Sequence, residues 1–145
     1  KMFYNMENER EDKILYVGYM HYLKGTSVFL EYVAENPNLQ FVMACWGSTN
    51  YQQVARSLSN IEWLGSVDYS KMPNLYNKYK ILYYHPIFFE PFCRSVGEAL
   101  LCGMEINSNN IVGSLHHYSA MGEEQFKSTC GNAASLFWNH VEAIL

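Results

Sequence analysis

The stretch "HPIFFEPFCRSVGEALLCG", residues 85–103, sets two carboxylates around the start of a helix-like apolar pattern. Four residues share the i, i+3, i+4, i+7 spacing of a helix face that packs against a sheet: Val96, Ala99, Leu100 and Gly103. We therefore expect a helix over residues 92–103, with Pro91 in its first turn, where a missing N–H costs nothing. Glu90 precedes this helix, and Glu98 lies within it, away from the face that meets the sheet.

The start of this helix is a candidate anion site. Four backbone N–H groups would lack intrahelical acceptors there, those of Phe92, Cys93, Arg94 and Ser95. The helix dipole adds positive potential at this end, which suits a diphosphate, and Arg94 would add charge. Glu90 and Glu98 suit the hydroxyl groups of a sugar or ribose, because a carboxylate accepts two such hydrogen bonds.

A simpler interpretation of the same spacing stays open. Glu90 could cap the helix, and Glu98 could pair with Arg94 at i, i+4, a contact that stabilises a helix by roughly 0.2–0.5 kcal/mol.

Outward from this stretch, short apolar runs alternate with amphipathic segments along the chain. We predict strands over residues 13–20, 39–47, 61–65, 81–85 and 104–108. We predict helices over residues 26–36, 50–59, 69–79 and 92–103, then helix, loop and a final helix from Trp138. Because the strands are continuous apolar runs, the sequence predicts an α/β domain over residues 13–145 with a doubly wound, Rossmann-like parallel sheet. Residues 1–12 read as a linker or tail.

Ligands of such sheets bind at the carboxyl ends of the strands, where loops meet helix N-termini. Three loops are then candidates for the site, over residues 18–25, 85–93 and 107–114.

The composition excludes several classes of function. With 145 residues, 49% of them hydrophobic and 17% charged, the chain is expected to form one domain with a real core. A net charge of −4 with only 10 Lys and Arg disfavours a nucleic-acid partner, which needs a basic face. A small anionic ligand stays possible, since it needs only one or two cations and free backbone N–H groups.

The first residues are polar and charged, without the apolar core of a leader, and no apolar run approaches the ~18 residues that span a bilayer, so we expect no direct membrane insertion. The four cysteines lack a CxxC spacing, which predicts reduced, structural thiols and a cytoplasmic protein. His116 and His117 are adjacent and cannot share a helix face as i, i+4 metal ligands do, so we interpret them as residues of a surface loop. The opening Lys1-Met2 and the closing "HVEAIL" suggest a fragment of a longer chain.

Residues 90–103 resemble the Glu-x7-Glu motif of the retaining glycosyltransferases of family 4, which have the GT-B fold. Six positions match its pattern in register: Glu90, Pro91, Phe92, Glu98, Ala99 and Gly103. Three other segments resemble the family in the same order: "ILYVGYMHYLKG", "NIEWLGSVDYSKMPNLYNKYKILYYHP" and "CGMEINSNNIVGS". The resemblance covers about residues 13–135 and implies the C-terminal, donor-binding half of a GT-B enzyme.

The resemblance also implies roles for single residues. Glu98 would bind the ribose hydroxyls of a nucleotide-sugar, and Glu90 would contact hydroxyls of the transferred sugar. Lys24 would stabilise charge on the leaving nucleoside diphosphate. Gly18 would allow close approach of the first loop.

The diphosphate itself would be held by the N–H groups of Phe92, Cys93 and Arg94. Tyr19 stands where the family has an arginine of the donor site, and Cys93 stands where it has a glycine. The resemblance implies no metal and no cofactor, since in this family lysine, arginine and a helix N-terminus stabilise the charge of the diphosphate instead.

We therefore predict the donor-binding domain of a retaining hexosyltransferase of polysaccharide biosynthesis. It would take a UDP- or GDP-sugar and serve a glycan, lipid-linked or other acceptor bound by an N-terminal domain that this chain lacks. Alone it would be inactive, and the full-length protein could act peripherally at a membrane.

The main alternative is a non-catalytic nucleotide-sugar-binding or regulatory half-transferase. A different GT-B enzyme, such as an epimerase or phosphorylase, is disfavoured by the Glu-Pro-Phe register. A flavodoxin-like signalling domain would need an acidic cluster that "YVGYMHYLKG" lacks.

Overall fold

Five apolar segments form a fully parallel sheet in the computed structural model, which describes residues 2–142. The strands are β1 (Glu11–Met20), β2 (Phe41–Gly47), β3 (Ile61–Trp63), β4 (Tyr79–Tyr84) and β5 (Glu105–Ser108). Their order is β3-β2-β1-β4-β5, so the longest strand lies at the centre. The predicted doubly wound α/β fold is therefore confirmed.

Helices cover both faces of the sheet. They are α1 (Thr26–Glu35), α2 (Thr49–Ser57), α3 (Met72–Lys78), α4 (Arg94–Leu101) and α5 (Gly113–Glu142), with single 3-10 turns at Tyr22–Lys24 and Tyr69–Lys71. Successive strand residues point to opposite faces. Leu15 and Val17 pack in a core with α3, α4 and α5, whereas Ile14 and Tyr16 pack in a second core with α1 and α2.

The helix of the opening stretch begins later than predicted. It starts at Arg94 rather than residue 92, and Pro91 lies before it instead of in its first turn. Cys93 is the N-cap, with an extended backbone at φ −84° and ψ 109°. The cause is a distant partner, because Glu90 forms an isolated parallel bridge with Val112 that holds the chain extended there.

The C-terminal part also differs from the prediction of a helix, a loop and a last helix from Trp138. α5 runs from Gly113 to Glu142 and is broken at Gly122, whose φ of 76° and ψ of 167° are not helical. Glycine adopts such angles without a side-chain clash, so the direction of the chain changes there. The last residues of that prediction, 143–145, lie outside the described residues.

Residues 2–10 form no helix or strand, but side chains of the domain hold them in place. The Asn77 amide accepts from Met6 N–H at 2.8 Å and donates to the Tyr4 carbonyl at 3.0 Å. The Arg10 guanidinium donates to three carbonyls at the ends of α3 and α4, those of Tyr76, Tyr79 and Cys102. β1 then begins at Glu11, two residues before its predicted start.

Candidate functional site

Two adjoining cavities open where the carboxyl ends of the central strands meet the start of α4. The Glu90 cavity, of about 270 Å³, is lined by residues that include Lys24, Tyr84 and Glu90. The Glu98 cavity, of about 290 Å³, is lined by residues that include Tyr69, Tyr76 and Glu98. Five residues line both cavities: Val17, Gly18, Trp46, Arg94 and Ser95. Because these residues border both, the two cavities adjoin, and together they are called the groove below.

A larger cavity of about 430 Å³ lies between residues 2–7 and α5. The residues that line it include Lys127 and Glu123, which pair with each other at the surface, and none from a strand. We place the site in the two smaller cavities, because ligands of parallel sheets bind at strand ends.

The backbone of Glu90 is fixed by the segment just before α5. Its N–H donates to the Ile111 carbonyl at 2.9 Å, and its carbonyl accepts from Gly113 N–H at 2.8 Å. A Cβ on Gly113 would lie 1.8 Å from the Pro91 carbonyl oxygen, so only glycine fits beside this loop. The predicted loop 107–114 thus supports the site from behind.

The Glu90 carboxylate has two partners in its cavity. Lys24, at the end of the 3-10 turn after β1, forms an ion pair and hydrogen bond with Oε2. The Tyr84 hydroxyl donates to the same oxygen at 3.0 Å. Burial, with the nearby Cys93 and Glu90, raises the pKa of Tyr84, so its hydroxyl stays a proton donor at neutral pH. Glu90 is therefore presented as an oriented carboxylate beside a cation.

The loops that carry Lys24 and Glu90 are bound to each other. Ile87 N–H donates to the Leu23 carbonyl at 3.0 Å. Gly25 has a φ of 75°, and a Cβ there would lie 1.8 Å from the His85 carbonyl oxygen. The two predicted loops 18–25 and 85–93 therefore meet and form one wall of the Glu90 cavity.

The start of α4 brings Arg94 and Ser95 to the wall that both cavities share, and Cys93 to the Glu90 cavity. The first intrahelical bond runs from Gly97 N–H to the Cys93 carbonyl at 3.0 Å. The N–H groups without helical acceptors are therefore those of residues 93–96, one position later than predicted. Phe92 precedes the helix and contributes its half-exposed ring to the Glu90 cavity instead.

Glu98 is held by two tyrosine hydroxyl groups. Tyr69 donates to Oε1 at 2.9 Å and Tyr76 donates to Oε2 at 3.2 Å. Burial raises the pKa of Glu98, while these hydrogen bonds and Arg94 act in the opposite direction. The simpler interpretation of the motif is wrong, since Glu98 meets tyrosines rather than Arg94, and Glu90 meets Lys24 and Tyr84 rather than the helix end.

The raised pKa of Glu98 predicts a measurable dependence of stability on pH. The folded state holds the Glu98 proton more tightly than the unfolded state, whose pKa is near 4.5. Glu98 therefore contributes less to the free energy of unfolding as pH rises through its folded pKa. Glu98→Gln cannot ionise, so its stability relative to the native protein should be greater at about pH 7 than at about pH 4. Urea unfolding of both proteins at each pH checks this, and a difference that does not change with pH would contradict it.

The remaining predicted residues lie on the same walls. Gly18 lines both cavities with a φ of 126°, in the region that glycine favours. Tyr19 lines the Glu90 cavity and packs on Trp46 and His21, with ring centroids 6.2 Å apart in each pair. Cys93 is buried against the same cavity, and burial raises the pKa of its thiol. All eight predicted site residues are thus brought to one groove.

Sequence reasoning missed the aromatic residues of the groove. Tyr69 and Tyr76 are seven residues apart, about two turns of a helix, a spacing that places them on one face of the predicted helix 69–79. Tyr84 lies at the carboxyl end of β4, and Trp46 near that of β2. The sequence could predict which helix or strand carries each of these residues. It could not predict their role, because a tyrosine in such an element is typical of the core until the partner of its hydroxyl group is known.

Over residues 2–142, no three His, Cys, Asp or Glu side chains converge as metal ligands. None of the helices in that range is long and apolar enough to cross a bilayer. His85, at the end of β4, stacks on Tyr83 at 4.4 Å and contacts Asn107 through Nε2 at 2.8 Å, so it packs beside the site.

Comparison with known proteins adds a family and a fold. A family model described as "Glycosyl transferases group 1" matches residues 2–143. A search of curated proteins finds no match. Among solved structures, the C-terminal domain of the group 1 family protein LpcC from Francisella tularensis matches with a TM-score of 0.60. That match has 17% identity and covers 78% of this chain and 70% of that one.

Two longer proteins match over part of their length. HepE from Anabaena, in complex with UDP-glucose, has a TM-score of 0.57 and 20% identity, covering 73% of this chain and 32% of that one. Sucrose-phosphate synthase from Thermosynechococcus elongatus has a TM-score of 0.64 and 18% identity, covering 77% and 33%. This chain therefore spans about a third of their length. At these identities the likeness shows the fold, that of GT-B C-terminal domains.

Proposed function

Since the chain belongs to the group 1 glycosyl transferases, we propose that it is the donor-binding half of a retaining hexosyltransferase that uses a UDP- or GDP-sugar. The observation that carries this proposal is the groove of two adjoining cavities, in which Lys24, Glu90 and the start of α4 lie beside Glu98. One side of the groove suits a diphosphate and a sugar, and the other suits a ribose.

The diphosphate would lie against the start of α4. There the N–H groups of Cys93, Arg94 and Ser95 and the positive end of the helix dipole meet the exposed Arg94 side chain. Lys24 lines the same cavity. An incoming diphosphate would compete with Glu90 for the Lys24 ammonium group. As the bond to the sugar breaks, negative charge grows on the leaving diphosphate, which Lys24, Arg94 and the helix end would stabilise.

The nucleoside would lie in the Glu98 cavity. The Glu98 carboxylate can accept hydrogen bonds from the two ribose hydroxyls, because each of its oxygens retains a lone pair beyond its tyrosine contact. Trp46, Val67 and Met72 line this cavity and would give the base an apolar wall. HepE was solved with UDP-glucose, which supports a nucleotide-sugar donor for this fold.

Glu90 would contact hydroxyls of the transferred hexose. Its carboxylate is oriented by Tyr84 and faces the cavity that the diphosphate would enter. Retention would follow from attack on the same face of the sugar that the nucleoside diphosphate leaves. We propose that the acceptor, a glycan or lipid-linked sugar, is bound by an N-terminal domain, and that the donor half alone does not turn over.

A second candidate is a regulatory or binding module without catalysis. Tyr19 favours it, because it stands at the position of the family's arginine and packs its ring on Trp46 and His21. The site then has fewer cations for a leaving diphosphate than the family pattern implies.

Titration of the 145-residue chain with UDP, GDP and their hexose conjugates, followed by amide NMR, tests the proposal. We expect saturable shifts at residues 18–25 and 90–98 with one of the two nucleotides. Lys24→Ala should weaken that binding at least about tenfold, because a charge-assisted hydrogen bond is lost. Glu98→Gln should weaken it by a similar factor.

Lys80→Ala is the control, since it removes an exposed lysine from the other side of the fold, where Lys80 lies near Asp12. It should bind as the native chain does. If no nucleotide shifts these residues, donor binding by this chain is contradicted.

A further inference from the structure

Glu98 is the only predicted site residue whose two carboxylate oxygens each have a tyrosine partner in the described part of the chain. The two tyrosines differ in their surroundings. Tyr76 is buried on α3, whereas Tyr69 is 52% exposed on the preceding 3-10 turn. Both line the Glu98 cavity, so their hydroxyls approach the carboxylate from the walls that a ligand would also touch.

The rings themselves are held by one residue from the N-terminal segment. Phe3 meets Tyr69 edge-on with centroids 5.6 Å apart, and it meets Tyr76 at 6.0 Å. The hydroxyls therefore approach Glu98 from directions that ring packing fixes. A carboxylate with one fixed donor on each oxygen cannot rotate without losing one of them. Its remaining lone pairs then keep a constant direction.

We propose that Tyr69 and Tyr76 are positioning residues that hold Glu98 ionised and aligned to recognise the ribose diol of a nucleotide. This inference rests on the proposed function and deepens it by naming what sets the selectivity for ribose. The cost of burying a carboxylate is the reason that the tyrosines are needed. In a partly buried site the charged form is disfavoured unless donors stabilise it, and a protonated Glu98 would accept ribose hydroxyls less well.

A charged group near Glu98 also affects its pKa. Arg94, one turn earlier on α4, favours the charged form and would do so with or without the tyrosines. Removing one tyrosine hydroxyl should therefore shift the Glu98 titration upward without abolishing it. The direction is supported by the hydrogen bonds of Tyr69 and Tyr76, which lower the pKa of Glu98 against its burial.

The test uses the 145-residue chain with Tyr69→Phe, Tyr76→Phe and the control Tyr32→Phe, which alters a tyrosine of α1 on the opposite face of the sheet. Each protein is titrated with UDP, GDP and their 2′-deoxy counterparts between about pH 5 and pH 8. Carbon NMR of the Glu98 carboxyl measures its pKa in the same samples without nucleotide.

The native chain should prefer the ribonucleotide by roughly tenfold, since a hydrogen bond to a charged group is lost with the 2′-hydroxyl. In Tyr69→Phe and Tyr76→Phe that preference for the ribonucleotide should shrink severalfold. As pH is lowered, these variants should lose ribonucleotide binding at a higher pH than the native chain does. The Glu98 titration should move upward in both variants. Tyr32→Phe should match the native chain in all three measurements.

Two results overturn the inference and differ from each other. If the two variants keep the native ribose preference and pH profile, the tyrosines do not position Glu98, while the proposed donor site stands. If no protein, native included, binds any nucleotide, the proposed function fails and this inference fails with it. Amide spectra like those of the native chain show that each variant is folded.

Discussion

Gly113→Ala is expected to destabilise the protein by about 3 kcal/mol or more. The new Cβ would lie 1.8 Å from the Pro91 carbonyl oxygen and 2.7 Å from its carbon, and both of these are backbone atoms. Relief requires a shift of the loop, which would break the 2.8 Å bond from Gly113 N–H to the Glu90 carbonyl. Nucleotide binding should fall as well, because Glu90 moves with that loop. Urea unfolding followed by circular dichroism measures the loss of stability.

Gly131→Ala provides a matched control in the part of α5 that follows the break at Gly122. A Cβ at that position would meet nothing within 4 Å. Because alanine reduces the entropy of the unfolded chain and favours helix, this change should stabilise the protein by about 0.5–1 kcal/mol. Equal stabilities for the two variants would show that the contact at Gly113 is not as tight as described.

Arg10→Ala is expected to cost about 3 kcal/mol, nearly as much as Gly113→Ala. The guanidinium donates at 2.7 Å to the Tyr76 carbonyl and at 3.0 Å to that of Tyr79, and it also reaches the Cys102 carbonyl. These carbonyls belong to the C-terminal ends of α3 and α4, where a cation is also favoured by the helix dipoles. Alanine leaves all three acceptors without this donor. Thermal and urea unfolding measure the change.

Arg56→Ala is the control for the loss of an arginine. Arg56 lies in the last turn of α2, with its guanidinium 5.2 Å from the centre of the Trp63 ring. Such a contact contributes about 0.5–1 kcal/mol at an exposed site, so this variant should lose much less stability. A loss at Arg10 no greater than that at Arg56 would contradict the capping role.

The fold was largely predictable because its signal is local. Runs such as "FVMACWG" are apolar on both faces, and only a covered parallel strand suits that pattern. The start of α4 was not predictable in the same way, since Pro91 favours a helical first turn by itself. The competing interaction is the bridge from Glu90 to Val112, whose partner lies more than twenty residues away along the chain.

The candidate site likewise contains residues that a local pattern indicates and residues that only long-range contacts define. Lys24, Glu90 and Glu98 stand in motifs with a fixed spacing, so the sequence could indicate them. Tyr69 and Tyr76 depend on where Glu98 points in three dimensions, which no local pattern carries. Arg10 is the extreme case, because its acceptors lie 66 to 92 residues further along the chain and its own stretch reads as a polar tail.

The hydrogen bond from Ile87 to Leu23 and the close packing of Gly25 against His85 join the two loops. This has a consequence for protein engineering. Neither loop can be exchanged by itself for that of a relative, because the incoming segment would meet a partner shaped for another sequence. A chimaera that takes both residues 18–25 and residues 85–93 from the same relative should fold and keep its lysine–carboxylate ion pair. The two single-loop chimaeras should lose it. The unit of inheritance at this site is therefore a pair of segments some sixty residues apart in the chain, which recombination would have to transfer together.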